Sequence, residues 1–261
     1  MSSIEISLCE SVADFLDLTK EFRAAFPFET NIISSVAQSV HDGSRTYDKY
    51  FWWVIKDNSN LVIGIAMRTA PHGMLLSPMP TSAVTALAVE VAKRDDQIAG
   101  VSGPRSEVEI FMRAYRDTKS PGSSRAIEIT GQELLYSLKD LQIPDVAGEM
   151  RIAHSSEYQL LHEWFLAFAE EAGILVHDAR ESIQDGLDRD SFRWWIVGGE
   201  IVSLAGHAPI VAVPGGWVAR IGPVYTPPAQ RRRGYAGALT ADETISPPTI
   251  HHRNESRSNP S

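Results

Sequence analysis

The sequence predicts an α/β protein built from two similarly ordered halves, and three observations carry that expectation. Two aromatic hairpins stand far apart in the chain. Phe51-Trp52-Trp53-Val54-Ile55 turns at Lys56-Asp57-Asn58-Ser59-Asn60 and returns as Leu61 to Met67. Phe192-Arg193-Trp194-Trp195-Ile196-Val197 turns at Gly198-Gly199-Glu200 and returns as Ile201 to Gly206. β-branched and aromatic arms around a Gly, Asn or Asp turn are the pattern of a β-hairpin. Each hairpin also follows helix-prone sequence. Ser11 to Phe26 carries Val12, Phe15, Leu16 and Phe22 at helical spacing, and Glu157 to Ala172 carries Leu160, Leu161, Trp164, Phe165 and Phe168. The order helix, helix, hairpin, longer strand, helix is thus read twice, which points to two copies of one unit.

The first copy continues with a short strand at Met74-Leu75-Leu76. A helix follows from Thr81 to Lys93 with Val84, Leu87, Ala88 and Val91 inward. Gln97 to Val101 reads as a strand, Glu107 to Tyr115 as a helix, and Arg125 to Thr130 with Glu133 to Leu138 as a closing pair of segments. Leu141 to Gly148, with Pro144, reads as a linker. In the second copy an extended run from Gly216 to Tyr225 meets Pro227-Pro228, which stop a strand because they cannot donate to its ladder. A basic turn and a helix from Tyr235 to Glu243 come next. No further strand is expected after that helix: Ser246 to Ser261 is polar, proline-bounded and without hydrophobic period, the composition of a disordered tail. The expected division is therefore one domain at 1–143, a second at 149–243 lacking its last strands, and a tail at 244–261.

Composition narrows the function classes. Of 261 residues 43% are hydrophobic and 22% charged, as in soluble globular proteins. The net charge of -9 argues against nucleic acid as the main partner, because phosphate neutralisation needs an excess of Lys and Arg on one face. The single cysteine, Cys9, excludes an intramolecular disulfide and a cysteine-built zinc cage. No basic start followed by an apolar run opens the chain, and no apolar run approaches the ~20 residues of a membrane helix. A cytoplasmic protein without a membrane partner is expected.

The chemistry concentrates in Val224-Tyr225-Thr226-Pro227-Pro228-Ala229-Gln230-Arg231-Arg232-Arg233-Gly234-Tyr235-Ala236. A strand end, a basic glycine-containing turn and a helix start make a place for an anion. The first turn of a helix leaves backbone N–H groups unpaired, and the macrodipole puts about +0.5 charge there. A phosphate satisfies both. Gly234, having no Cβ, lets backbone and ligand approach closely, and Ala236 is small for the same purpose.

Arg231-x-x-Gly234-x-Ala236 resembles the acyl-CoA pyrophosphate loop of the GNAT N-acetyltransferase superfamily, written there Gln/Arg-x-x-Gly-x-Gly/Ala. The resemblance covers about Met150 to Glu243 by motif, and the first half by the order of its elements and its Trp-Trp hairpin. It implies two GNAT-like domains of mixed β-sheet and flanking helices, the first degenerate. There the corresponding helix start, Ser77-Pro78-Met79-Pro80-Thr81-Ser82-Ala83, holds neither a basic side chain nor a glycine. It also implies acetyl-CoA as cosubstrate and a small or peptidyl amine as acceptor. By that resemblance Val224, Tyr225 and Thr226 offer backbone groups to the pantetheine arm. Arg231, Arg232, Arg233, Gly234, Tyr235, Ala236 and Gly237 face the pyrophosphate, with Arg232 and Arg233 adding charge-assisted bonds.

Acyl transfer needs a base to free the amine of its proton, a donor for the developing oxyanion and an acid for the thiolate. The resemblance places the acid, a tyrosine, on a helix beyond the expected end of the second domain, and neither Tyr225 nor Tyr235 matches that position. Candidate bases are weak. Glu200 sits in a hairpin turn, His207 ends an apolar strand, and Glu170 and Glu171 lie on a helix. A solvated acid, or for His207 a hydrogen-bonded structural histidine, is the favoured reading at each position. A CoA-binding or interaction protein derived from such an enzyme is thus the competing expectation. An open sheet edge in the second domain would also invite a second copy to pair there.

Other signals carry no chemistry. His162-Glu163 lacks the second histidine of a zinc protease motif. Gly100-Val101-Ser102-Gly103-Pro104 has a proline where a nucleophile elbow needs glycine. His251-His252 lacks spaced partners.

Overall fold

Aromatic and β-branched residues set the arms of the first hairpin, and its turn is fixed by one carboxylate. Asp57 Oδ1 accepts the amides of Ser59 at 2.9 Å and Leu61 at 3.0 Å, while Asn60 takes φ +64°. The second hairpin turns on Gly198 and Gly199, at φ +58° and +85°. Two consecutive positive φ values are what a two-residue turn between twisted strands demands.

A computed structural model describes residues 4–94, 98–119, 128–132, 134–138, 140–174, 176 and 178–245, with the backbone alone for Glu243 and Ile245. The elements run β1 (Glu5–Leu8), α1 (Val12–Leu18), α2 (Lys20–Ala25), α3 (Asn31–His41), β2 (Tyr50–Lys56), β3 (Val62–Thr69), β4 (Met74–Leu76), α4 (Thr81–Lys93), β5 (Val101–Ser102) and α5 (Arg105–Lys119). They continue with β6 (Glu149–Ile152), α6 (Tyr158–Glu171), α7 (Ala179–Asp188), β7 (Phe192–Val197), β8 (Glu200–His207), β9 (Val211–Val213), β10 (Gly216–Val218), β11 (Ile221–Tyr225) and α8 (Tyr235–Ile245). The expected α/β architecture of sheets flanked by helices is what the chain adopts.

The chain divides into two compact units, Met1–Ser137 with Pro209–Val218, and Leu138–Ala208 with Ala219–Ser261. In the first, the sheet order is β1-β2-β3-β4-β5, antiparallel except for the parallel pair β4–β5. Because side chains alternate across a sheet, the two tryptophans of β2 serve opposite faces. Trp53 joins Leu87, Val91 and Phe111 beneath α4 and α5, and Trp52 joins Phe15, Ile33 and Ala37 beneath α1–α3. In the second unit the four strands are antiparallel in the order β11-β8-β7-β6. Trp194 there packs with Leu161, Trp164 and Ile183 of α6 and α7, while Trp195 packs with Ala238 and Leu239 of α8.

Several expectations need correction. The helix expected over Ser11 to Phe26 is two helices. Thr19 is buried and its hydroxyl bonds back to Phe15 O at 2.6 Å, a local alternative to the helix ladder, and the backbone breaks there at φ -101°, ψ 2°. The extended run Gly216 to Tyr225 is two strands with different partners. β10 pairs with β9 in the first unit, whereas β11 pairs with β8 in the second. The strand expected at Gln97 to Val101 is reduced to Val101–Ser102, and Gln97 lies outside the described residues. Of the closing segments, residues 125–127 and 133 lie outside the described set. The rest form no strand, and Ile129, Leu134, Leu135, Tyr136 and Leu138 are exposed. β5, two residues long, offers them almost no ladder to join. The expected tail from Ser246, with His251-His252, lies outside the described residues.

The stretch read as a linker, Leu141 to Gly148, is anchored in the second unit. Its Ala147 O accepts the Trp195 indole N–H at 3.2 Å, and Val146 packs on the Trp195–Leu239 cluster. Asp178 caps α7, its carboxylate accepting the Glu181 amide at 2.9 Å. No helix among the described residues is long and apolar enough to cross a membrane.

Candidate anion-binding cleft

The second unit carries a cleft of about 470 Å³ between the last turn of α6, the end of β11 and the loop that opens α8. Phe168, Glu171 and Ala172 line it from α6, where the i, i+3, i+4 spacing puts them on one face. Val224 and Tyr225 line it from β11 and Thr226 from just after it, and Gln230 through Gly237 complete it. All ten residues read from the sequence as a cofactor site, Val224, Tyr225, Thr226, Arg231, Arg232, Arg233, Gly234, Tyr235, Ala236 and Gly237, meet in this one place. Phe168 and Ala172 were not legible as lining residues, because they join the cleft only through the packing of α6 against β11. Gln230 lies within the singled-out stretch but was not read as part of the site.

The loop has the backbone of an anion cradle. Gln230 and Arg231 donate to Pro227 O at 2.8 Å and Pro228 O at 3.4 Å, closing a tight turn after the two prolines. Ala238 donates to Gly234 O at 3.0 Å, opening the helix ladder. Between them, the amides of Arg232, Arg233, Gly234, Tyr235, Ala236 and Gly237 find no acceptor among the described residues. Arg232 stands at φ +64°, a conformation uncommon for a residue with a side chain, and Gly234 at φ +84°. Positive φ at two positions two residues apart turns the intervening backbone sharply, the kind of loop whose N–H groups can share one concavity.

Gly234 does its work differently from the sequence expectation. A Cβ built there meets Val146 Cγ2 at 2.8 Å. The missing side chain therefore makes room for the segment behind the loop, and the positive φ shapes the cradle. Gly237 shows a milder version of the same contact, with Pro144 Cγ at 3.4 Å.

Arg231, although exposed, spends its guanidinium on partners within the protein. Its Nη2 donates to both Glu171 carboxylate oxygens at 2.7 Å, its Nε donates to Thr226 O at 2.7 Å, and the guanidinium lies 5.7 Å from the Tyr225 ring centroid. Thr226 O thus already accepts one hydrogen bond, and Tyr225 O accepts one from Ser203 Oγ at 3.1 Å. β11 is nevertheless the terminal strand of its sheet, so its side away from β8 has no strand partner among the described residues. Arg232 and Arg233 are exposed at the loop.

No candidate base stands out in the cleft. Glu171 is engaged by Arg231. Glu170 and Glu200 are exposed and do not line the cleft. His207 lies outside it as well, buried at the end of β8 with Nδ1 2.9 Å from Ala208 O. Burial pushes its imidazole below the usual range, with Arg189 and Arg193 nearby acting the same way, so it is neutral at pH 7.

Among the described residues, the corresponding junction of the first unit forms no such cradle. Its β4–α4 junction carries prolines at 78 and 80, and Pro80 O accepts the amides of Ala83 at 2.9 Å and Val84 at 3.1 Å. Met79 lies across β3, where a Cβ at Gly64 would meet Met79 Cβ at 2.6 Å. The edge of β4 is occupied by β5.

No protein-family model and no curated protein matches the chain. Among solved structures, an acetyltransferase of the GNAT family from Colwellia psychrerythraea aligns over 92% of this chain and 84% of its own. The identity is 12% and the TM-score 0.46. The GCN5-related glucosamine N-acetyltransferase region of a fungal multi-domain GH3 β-N-acetylglucosaminidase aligns over 94% of this chain at 10% identity and a TM-score of 0.41, and this chain spans 34% of that one. Both superpositions are loose and neither bears on the chemistry of the cleft.

Proposed function

We propose that the cleft holds the diphosphate of acetyl-CoA and that the protein is an amine N-acetyltransferase. The observation that carries this reading is the run of unpaired amides from Arg232 to Gly237, lining a cleft at the end of a terminal strand. A diphosphate there accepts those N–H groups and sits at the positive end of α8. Arg232 and Arg233 supply charge from the loop. The unpartnered side of β11 gives an extended amide-bearing arm a strand to lie against. Bound acetyl-CoA supplies an acyl thioester. What the chain must add is a neutral amine at the carbonyl and a donor for its oxygen, for which the backbone N–H groups of β11 are the nearest class of group.

A second reading, coenzyme A binding without transfer, is favoured by one feature: Glu171, the carboxylate that lines the cleft, is tied to Arg231. The experiment that separates the two follows free thiol with acetyl-CoA and a panel of small and peptidyl amines, beside thermal unfolding with and without CoA. Acetyl transfer predicts thiol release that depends on the amine. Binding alone predicts a raised Tm and no release, since a ligand at a hundred times its Kd stabilises by about 2.7 kcal/mol. Absence of both signals would overturn the coenzyme A reading altogether.

A further inference from the structure

The arginine that begins the loop motif is spent on the protein itself. Three contacts from one guanidinium join the last turn of α6 (Glu171), the residue after β11 (Thr226 O) and the Tyr225 ring to the first residue of the loop. The remaining polar side-chain contact of the loop, Arg233 Nη2 to Ala229 O at 3.4 Å, is local to it. A carboxylate in the wall of an anion site is unfavourable unless it serves a cation, since like charges repel across so short a distance.

We propose that Glu171 is a positioning residue for the loop: acting through Arg231, it braces the loop against α6 and so holds the amides of Arg232 to Gly237 turned into the cleft. The proposal rests on the reading of the cleft as a coenzyme A site, and its test is built to fail separately from that reading. Glu171 does not touch the anion. It fixes the geometry of groups that do, which is where small displacements weaken charge-assisted bonding most.

The test measures CoA binding by calorimetry at low salt, with inorganic pyrophosphate as a second probe, on the wild type, Glu171→Gln, Arg231→Ala and the double variant. Amide hydrogen exchange of the loop is followed in the ligand-free proteins. Both partners are solvent-exposed, so the effect is modest: Glu171→Gln raises the Kd about three- to fivefold and quickens exchange at Arg232 to Gly237. In the Arg231→Ala background Glu171→Gln adds nothing, because the brace is already gone. The effect shrinks as salt rises. Tighter binding in Glu171→Gln would mean that the carboxylate opposes the anion, and would overturn the proposal. So would an unchanged Kd, or a loss of equal size with and without Arg231. If the wild type binds neither probe, the coenzyme A reading fails on its own. The brace is then decided by exchange in the free protein, where an unchanged loop refutes it.

Discussion

Gly234→Val leaves the second unit less stable and unable to gain stability from CoA. Position 234 stands at φ +84°, where a side-chain-bearing residue costs about 1–2 kcal/mol and a β-branched one is a pronounced outlier. The new Cβ also meets Val146 Cγ2 at 2.8 Å, tighter than packed side chains tolerate. Both effects act on the backbone of the cradle: relief comes only by turning the 232–237 amides or by lifting the 141–148 segment off Trp195 and Leu239. Thermal unfolding should show a Tm lower by several degrees, and added CoA should no longer raise it. Gly234→Ala combined with Val146→Ala separates the causes. Removing Cγ2 restores part of what Gly234→Ala alone loses, while the φ strain remains. Full stability and a wild-type response to CoA in Gly234→Val would show that neither the positive φ nor the contact with Val146 matters.

Glu157→Ala destabilises the same unit by about 2 kcal/mol at neutral pH, from the loss of a half-buried hydrogen-bond network that leaves a buried indole N–H without an acceptor. Glu157 receives Arg151 Nη1 and Nη2 at 3.0 and 2.6 Å, the His154 amide at 2.8 Å and the Trp194 indole N–H at 3.0 Å. Trp194 is fully buried, so its N–H is left without an acceptor in the variant. The Arg151 hydrogen bonds, followed by those from His154 and Trp194, outweigh burial and hold the carboxyl from its usual 4.5 down to about 2. The sign for pH follows. The folded state binds this proton more weakly than the unfolded one, so the contribution is complete above pH 4.5 and is lost as pH falls from 4.5 toward 2. Wild type and Glu157→Ala should therefore differ in Tm by several degrees at pH 7 and converge toward pH 2. A difference that persists undiminished at the acid end would assign the loss to packing rather than to the ionised network.

The hairpins were legible because their signals are local: aromatic and β-branched arms flank a turn at Asn60 in one and the Gly198-Gly199 pair in the other, all within a few residues. The helices over Thr81–Lys93 and Tyr158–Glu171 followed from spacing for the same reason. The break at Thr19 was not visible, because nothing in apolar periodicity says that a buried hydroxyl bonds back to Phe15 O. The split of Gly216 to Tyr225 between two sheets depends on which strand each half meets, and that is decided by tertiary pairing with β9 and β8. In the cleft, the motif brought ten residues to one place, but the brace to Glu171 spans 60 positions of sequence and Val146 reaches Gly234 from a stretch that read as a linker. Long-range partners of this kind leave no mark on spacing. They also changed the meaning of two motif residues: Arg231 ties the loop to α6, and Gly234 makes room for Val146.

The measurement that tests the central claim most directly is amide hydrogen exchange of the wild type with and without saturating CoA, resolved over residues 228–245. The cradle predicts strong protection confined to Arg232 through Gly237, with the amides of Gln230, Arg231 and Ala238, already bonded within the protein, little changed. CoA binding that protects amides elsewhere and leaves Arg232 to Gly237 as fast as before would contradict it.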